Sequence, residues 1–206
     1  MLDAALIKEC ADPSLKPAIV EQFVMAAGST DPLAVTVKSG GRLILVPKAT
    51  SAEEAMAIVR QYAGQAVVRV GVTQFPAGVG IREPADIKPD LVDACRNLRI
   101  GTAMFAKILR IVAKWYGNPR SDDDVFPQIF DDAVYAWKTG EFEGAGIFQA
   151  EDPGTPVEVP QRGRETAHAG ADDTEMAPNE EQPVTAQNVG QAGIRIDLSR
   201  IGGQQH

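Results

Sequence analysis

The aromatic residues of this chain are confined to its N-terminal part. All seven Phe, three Tyr and two Trp of the 206 residues lie at or before Phe148. A segment without aromatic side chains cannot easily bury enough apolar surface to offset the entropy that is lost on ordering. We therefore predict a globular domain over residues 1–150 and a flexible, disordered acidic tail over residues 151–206.

The charge follows the same division. Residues 1–150 carry 16 basic and 18 acidic side chains, whereas residues 151–206 carry 4 basic and 10 acidic ones, so most of the net charge of −8 belongs to the tail. A nucleic-acid-binding face needs concentrated positive charge, so we predict no nucleic-acid partner. No window reaches the roughly 18 apolar residues of a membrane span, and the first residues do not follow the pattern of a standard signal peptide.

The hydrophobic pattern changes between helical and strand periods, which predicts an α+β fold. Two β-rich runs flank a Gly-Gly pair and indicate a hairpin. In chain order, the predicted elements are a helix from Asp12-Pro13 to about Gly28, strands 33–37 and 42–46, a helix from a capping box at 50–53 to Tyr62, a strand 66–72, a long helix 91–116 and a helix from Ser121 to Gly140. The predicted core face of the long helix comprises Val92, Cys95, Leu98, Thr102, Phe105, Leu109 and Val112.

Stand-alone catalytic motifs do not occur in the sequence. It contains no phosphate-binding loop, no nucleophile elbow and no Cys/His cluster with metal-ligand spacing, so we predict neither a metal site nor a cofactor. Both histidines, His168 and His206, fall in the predicted tail. Acid–base chemistry in the domain would therefore use carboxylates, Lys, Tyr or Cys. By themselves, Cys10 and Cys95 are typical of buried thiols in a reducing compartment.

Five short segments occur in the order found in a known family. The segments are Cys10 before the first helix and residues 31–35 (DPLAV), 70–75 (VGVTQF), 93–98 (DACRNL) and 136–140 (AWKTG). Over residues 8–148 the chain resembles the TraH proteins of plasmid conjugal-transfer operons and, more distantly, the lytic transglycosylase component of type IV secretion systems. The resemblance implies a lysozyme-like α+β domain with a small three-stranded antiparallel sheet. It also implies partners within a conjugation apparatus.

The resemblance locates a catalytic acid that this chain lacks. Lytic transglycosylases use one glutamic acid, which protonates the leaving oxygen and then acts as a base, and this needs a pKa raised by a dry cleft. In that family the glutamate stands five residues before the proline of the Asp-Pro pair, and counting back from Pro32 gives Ala27. Glu21 is the fallback carboxylate, but ideal helix geometry turns it about 240° away from Ala27.

A sugar-binding groove does not require the acid. The resemblance assigns to this groove the residues Gln74, Phe75, Trp137, Lys138 and Thr139. Aromatic faces and amide or hydroxyl groups are the chemistry that binds sugars. Phe75 and Trp137 are also typical of core residues, so both interpretations remain open.

Three functions fit this pattern. The first is an accessory protein of conjugal transfer that has lost its acid and binds peptidoglycan or partner proteins. The second is an active peptidoglycan lytic transglycosylase that uses Glu21. The resemblance implies a periplasmic location and a disulfide between Cys10 and Cys95, whereas the missing signal peptide favours the cytoplasm. A cytoplasmic regulatory protein is therefore the third alternative.

Overall fold

The computed structural model describes residues 3–119 and 124–154. The predicted start of the last helix at Ser121 and almost all of the predicted tail lie outside the described residues. Within them, helices and short strands are combined, so the predicted α+β class is confirmed. The helices are α1 (Ala4–Cys10), α2 (Pro17–Ala27), α3 (Ala52–Tyr62), α4 (Ala94–Trp115) and α5 (Phe126–Thr139). The strands are β1 (Val35–Ser39), β2 (Arg42–Ile44), β3 (Val67–Val70), β4 (Phe75–Pro76), β5 (Glu141–Phe142) and β6 (Ala145–Gly146).

The main sheet is antiparallel in the order β2-β1-β3-β4. The predicted hairpin is present, because Gly40 and Gly41 adopt the positive φ angles of 55° and 77° that join β1 to β2. The prediction of three strands was wrong by one. The missed strand, β4, is two residues long and ends in a proline, so it shows no alternation of apolar and polar residues.

Two helices start later than predicted, for reasons that lie in the residues around each start. Asp12 was predicted to cap a helix, but its Oδ1 accepts from the Ser14 backbone N at 2.8 Å and closes a turn. The helix α2 begins instead at Pro17, where the missing N–H of proline costs nothing. In α3, the cap is Ser51, whose hydroxyl accepts from Glu54 N, one residue later than predicted.

The longest helix in the described residues, α4, packs against α1 and α5. Asp93 caps its N-terminus by accepting from Arg96 N at 2.8 Å. Its buried residues recur at helical spacing and comprise Asn97, Leu98, Gly101, Thr102, Phe105, Ala106, Ile108, Leu109, Val112 and Ala113. None of the helices in the described residues has the length and apolarity that crossing a membrane requires.

Two groups of buried residues form the core. The helical cluster includes Phe23, Phe105, Ile129 and Trp137 and is built by α1, α2, α4 and α5. The sheet cluster contains apolar side chains from β1, β3 and α3 and from the segment before α4. A disulfide between Cys10 and Cys95, with a Cα–Cα distance of 5.1 Å, ties α1 to α4. The family resemblance implied that these two cysteines are neighbours.

Candidate functional site

Four polar side chains are buried where the sheet meets the helical cluster. We call this group the polar junction; it comprises Arg69, Thr73, Gln74 and Asn97. Their side chains are at most 8% exposed. Burial of polar groups is costly unless each group is hydrogen-bonded, and no buried side-chain nitrogen or oxygen in the described residues lacks a partner. The junction is therefore a fully satisfied network.

Asn97 joins the first turn of α4 to the end of β3. Its Nδ2 donates to the backbone oxygens of Val70 at 3.0 Å and Leu91 at 2.8 Å. Its Oδ1 accepts from the backbone N and the hydroxyl of Thr73, at 2.9 and 2.8 Å. One amide thus satisfies groups from three segments, which fixes the backbone that leads into Gln74.

Two glycines allow this close approach. A Cβ added to Gly71, which has φ of 78°, would lie 2.3 Å from Asn97 Nδ2. A Cβ added to Gly101 would lie 2.2 Å from Thr73 Oγ1. Since real Cβ contacts are longer than this, neither position accepts a side chain without movement of the junction.

Gln74 has an unusual backbone and an occupied side chain. Its φ is 51°, in the left-handed region that non-glycine residues rarely adopt. Its Nε2 donates to the backbone oxygens of Gly71 at 3.1 Å and Ala34 at 3.3 Å. The amide predicted to bind a sugar therefore donates to the protein's own backbone, and these bonds hold the turn between β3 and β4.

Arg69 is a buried cation that the sequence analysis did not single out. Its guanidinium donates to the backbone oxygens of Gln74 at 3.1 Å and Lys138 at 3.1 Å, and also to that of Trp137. Burial lowers the pKa of Arg69 to about 10. Neither of the two salt bridges in the described residues includes it. Its charge instead faces the C-terminal carbonyls of α5, where the helix dipole is negative.

Trp137, predicted as a groove residue, belongs to the core. It has no exposed surface, and its Nε1 donates to Thr73 O at 3.2 Å. Its ring packs edge-on against Phe23 at 5.1 Å and against Phe75 at 6.2 Å between centroids. Phe75 is half-buried. The structure thus brings Gln74, Phe75 and Trp137 together, but the indole presents no face to a ligand.

The two other predicted groove residues lie at the end of α5. Lys138 and Thr139 are exposed. The Thr139 hydroxyl donates to Tyr135 O at 3.0 Å and accepts from Glu141 N at 3.3 Å. Thr139 therefore shapes the connection from α5 to β5.

The position that the resemblance assigns to the catalytic acid lies beside the junction. Ala27 is the last residue of α2 and is half-buried against the helical cluster. The next residues touch the segment that precedes Gln74: Ser29 N donates to Val72 O at 2.8 Å, and a Cβ on Gly28 would lie 2.3 Å from the same oxygen. Glu21 is exposed on α2, so it does not lie in the kind of dry cleft that a catalytic carboxylic acid needs.

A cavity of about 380 Å³ opens between α5 and the β5–β6 hairpin. We call it the hairpin cavity; it is lined by Asp132, Tyr135, Thr139, Glu141, Phe142, Glu143 and Gly144. Of the predicted groove residues, Thr139 alone lines it. Among the described residues, no group of three or more His, Cys, Asp or Glu side chains has a geometry that would hold a metal ion.

Comparison with known proteins identifies the family. The profile of the TraH_2 family matches residues 1–203. The chain belongs to the TraH_2 family. A Sinorhizobium fredii protein (strain NBRC 101917 / NGR234) that bears the name "Uncharacterized protein y4dP" is 71% identical over 206 residues, which is 98% of this chain and 100% of the relative. No solved structure matches the chain.

TraH_2 membership supports a role in conjugal transfer, as the sequence analysis predicted. The likeness to lytic transglycosylases and the lysozyme-like assignment remain predictions. The main residues that sequence reasoning missed are Arg69 and Asn97. The sequence held part of the signal, because Arg69 lies between valines in the predicted strand 66–72 and an arginine that is buried there requires polar partners.

Proposed function

We propose that this TraH_2 protein is a non-catalytic binding component of the conjugal transfer apparatus. In this proposal the domain descends from a transglycosylase-like enzyme, has lost the acid and contributes by contacts with peptidoglycan or with other proteins of the apparatus. The observation that carries the proposal is Ala27, because alanine can neither donate nor accept the proton that glycosidic cleavage requires.

The state of the neighbouring side chains supports the same conclusion. The Gln74 amide donates to Gly71 and Ala34, and the Trp137 indole donates to Thr73 while its ring lies in the core. Groups that would position a sugar in an enzyme are here engaged in holding β3, β4 and α5 together. The polar junction is thus structural in this proposal, and ligand contacts belong to other surfaces.

Cleavage is tested with purified protein and isolated peptidoglycan sacculi. Soluble muropeptides are measured by chromatography, with an active muramidase as the positive control. We expect wild type to remain at the background rate, because general acid–base assistance contributes about 10²–10⁴-fold on its own. Cleavage by wild type that Glu21→Gln abolishes would overturn the proposal and make Glu21 the acid.

Binding is tested separately from cleavage. Sedimentation with sacculi and calorimetry with soluble glycan fragments measure the affinity for peptidoglycan. Binding without cleavage supports peptidoglycan as the ligand of the non-catalytic domain. When neither binding nor cleavage occurs, contact with proteins of the conjugation apparatus is the remaining role.

A further inference from the structure

The hairpin cavity lies beside two exposed aromatic side chains. Among the exposed large hydrophobic residues of the described chain, the two aromatic ones are Trp115 and Tyr135, which are 59% and 65% exposed. Tyr135 lines the cavity, and the ring of Trp115 packs edge-on against that of Phe142, another lining residue, at 5.9 Å. Exposed aromatic side chains around a concavity are typical of binding sites.

The walls of the cavity carry negative charge. Asp132, Glu141 and Glu143 line it, and no Lys or Arg belongs to the lining among the described residues. Neither described salt bridge uses these carboxylates. The pKa of the nearby Tyr116 hydroxyl is raised by its hydrogen bond to Asp132, next by burial and then by the charges of Asp132 and Glu143, which agrees with a negative field at this place.

The cavity is held in shape by local hydrogen bonds. Tyr116 donates to Asp132 Oδ2 at 2.6 Å and Gln128 Nε2 donates to Oδ1 at 3.1 Å, so this carboxylate is fixed in orientation. At the hairpin, Glu143 and Gly144 have φ of 49° and 75°, values that suit the tight turns of two-stranded ribbons. A site with fixed walls loses little entropy when a ligand binds.

We propose that the hairpin cavity binds an arginine side chain of a basic segment on a partner protein. A guanidinium stacks on aromatic faces and forms directed hydrogen bonds to carboxylates, so it matches both features of the cavity. A neutral glycan would use the aromatic faces but would leave the carboxylate charges without a cation. The inference rests on the proposed binding role, and it selects a protein rather than peptidoglycan as the ligand at this site.

The test uses the ¹⁵N-labelled full-length protein and two blocked peptides that differ in one residue type. One peptide carries arginines; the other carries citrulline, which is nearly isosteric and neutral. We expect the arginine peptide to shift the amide signals of Tyr135, Thr139 and residues 141–144. The citrulline peptide is expected to bind about two- to fivefold more weakly, as for the loss of a solvent-exposed ion pair.

A matched pair of double variants tests the charge. Glu141→Gln with Glu143→Gln removes two carboxylates from the cavity, and Glu9→Gln with Glu83→Gln removes two exposed carboxylates elsewhere. We expect the first pair to lower the affinity for the arginine peptide about three- to tenfold and the second to leave it unchanged. Unchanged amide signals of α4 show that each variant is folded.

Several outcomes would overturn the inference. Equal binding of the arginine and citrulline peptides would remove the role of charge, and shifts elsewhere on the domain would remove the role of the cavity. A chito-oligosaccharide that shifts the cavity signals while the arginine peptide does not would assign the site to glycans. Sacculus cleavage is measured on the same wild-type sample, so failure at the cavity is distinguished from failure of the non-catalytic proposal.

Discussion

The helical cluster and the sheet cluster are built from different side chains. In the helical cluster Phe23 and Phe105 stack with centroids 3.9 Å apart, and Trp137 meets both edge-on. The buried members of the sheet cluster include no aromatic residue and are valines, alanines, Met56, Ile87 and Leu91. Large rings bury more apolar surface per residue than valine or alanine, so the helical cluster has the larger apolar contribution for each residue.

The two clusters also differ in what reinforces them. The Cys10–Cys95 disulfide lies within the helical cluster and its margin. The sheet cluster relies on the β ladder and on the polar junction, where Asn97 holds the end of β3. We therefore expect the helical cluster to contribute more to the stability of the domain than the sheet cluster does, while the junction attaches the sheet to it.

Loss of the disulfide is expected to have the largest effect. The disulfide joins two cysteines that are 85 residues apart in the sequence. For a loop of that length, the chain-entropy model assigns about 4–5 kcal/mol of stabilisation to the cross-link. Denaturant unfolding of wild type with and without reductant measures this difference. A Cys10→Ser, Cys95→Ser variant should match reduced wild type and show no response to reductant. A loss below about 1 kcal/mol would show that apolar packing alone holds α1 on α4.

Truncation of one residue in each cluster compares the clusters directly. Phe105→Ala, at a position with no exposed surface, is expected to destabilise the domain by about 4 kcal/mol because it removes the ring that stacks on Phe23. Met56→Ala, 3% exposed in the sheet cluster, is expected to cost about 2 kcal/mol. Urea unfolding of both variants is the measurement. Equal losses would contradict the unequal contributions of the two clusters.

The smallest effect is expected where α4 holds the last described residues. The pKa of Asp152 is lowered to about 2, chiefly by the hydrogen bonds from Arg110. A carboxyl with a lowered folded pKa stabilises the protein above its unfolded value of about 3.8, and this contribution is lost as the pH falls towards 2. Since the Asp152 side chain is 39% exposed, we expect at most about 1 kcal/mol.

The measurement is the free energy of unfolding of wild type and of Asp152→Asn as a function of pH. The two curves should differ above pH 4 and converge near pH 2, and 1 M salt should reduce the difference because exposed charges are screened. If the free energies of unfolding of the two proteins differed by a constant amount across this pH range, the ionised carboxylate of Asp152 would contribute no stability through Arg110. Lys107, whose Nζ donates to the backbone oxygens of Phe148 and Ala150, would then be the polar contact by which α4 holds these last residues.

Periodicity and punctuation in the sequence determined the elements of this fold. The predicted core face of the long helix includes Leu98, Phe105 and Val112, and these residues are buried in α4. The Gly-Gly hairpin was likewise predicted. Both features depend on residues that are neighbours in the chain, so helix and strand periods report them. The family resemblance added the proximity of the two cysteines, which periodicity alone does not supply.

Only the tertiary structure decided which groups the buried polar residues contact. Asn97 and Thr73 meet across 24 positions, and Arg69 reaches the carbonyl oxygen of Trp137 across 68. No local pattern encodes such pairs, because a strand or helix period specifies which face is buried but not which group lies opposite. For the same reason, the sequence left Trp137 open between a groove and the core. Packing of α5 against α2 and α4 placed the indole of Trp137 in the core, and Arg69 of β3 donates to the carbonyl oxygen of Trp137.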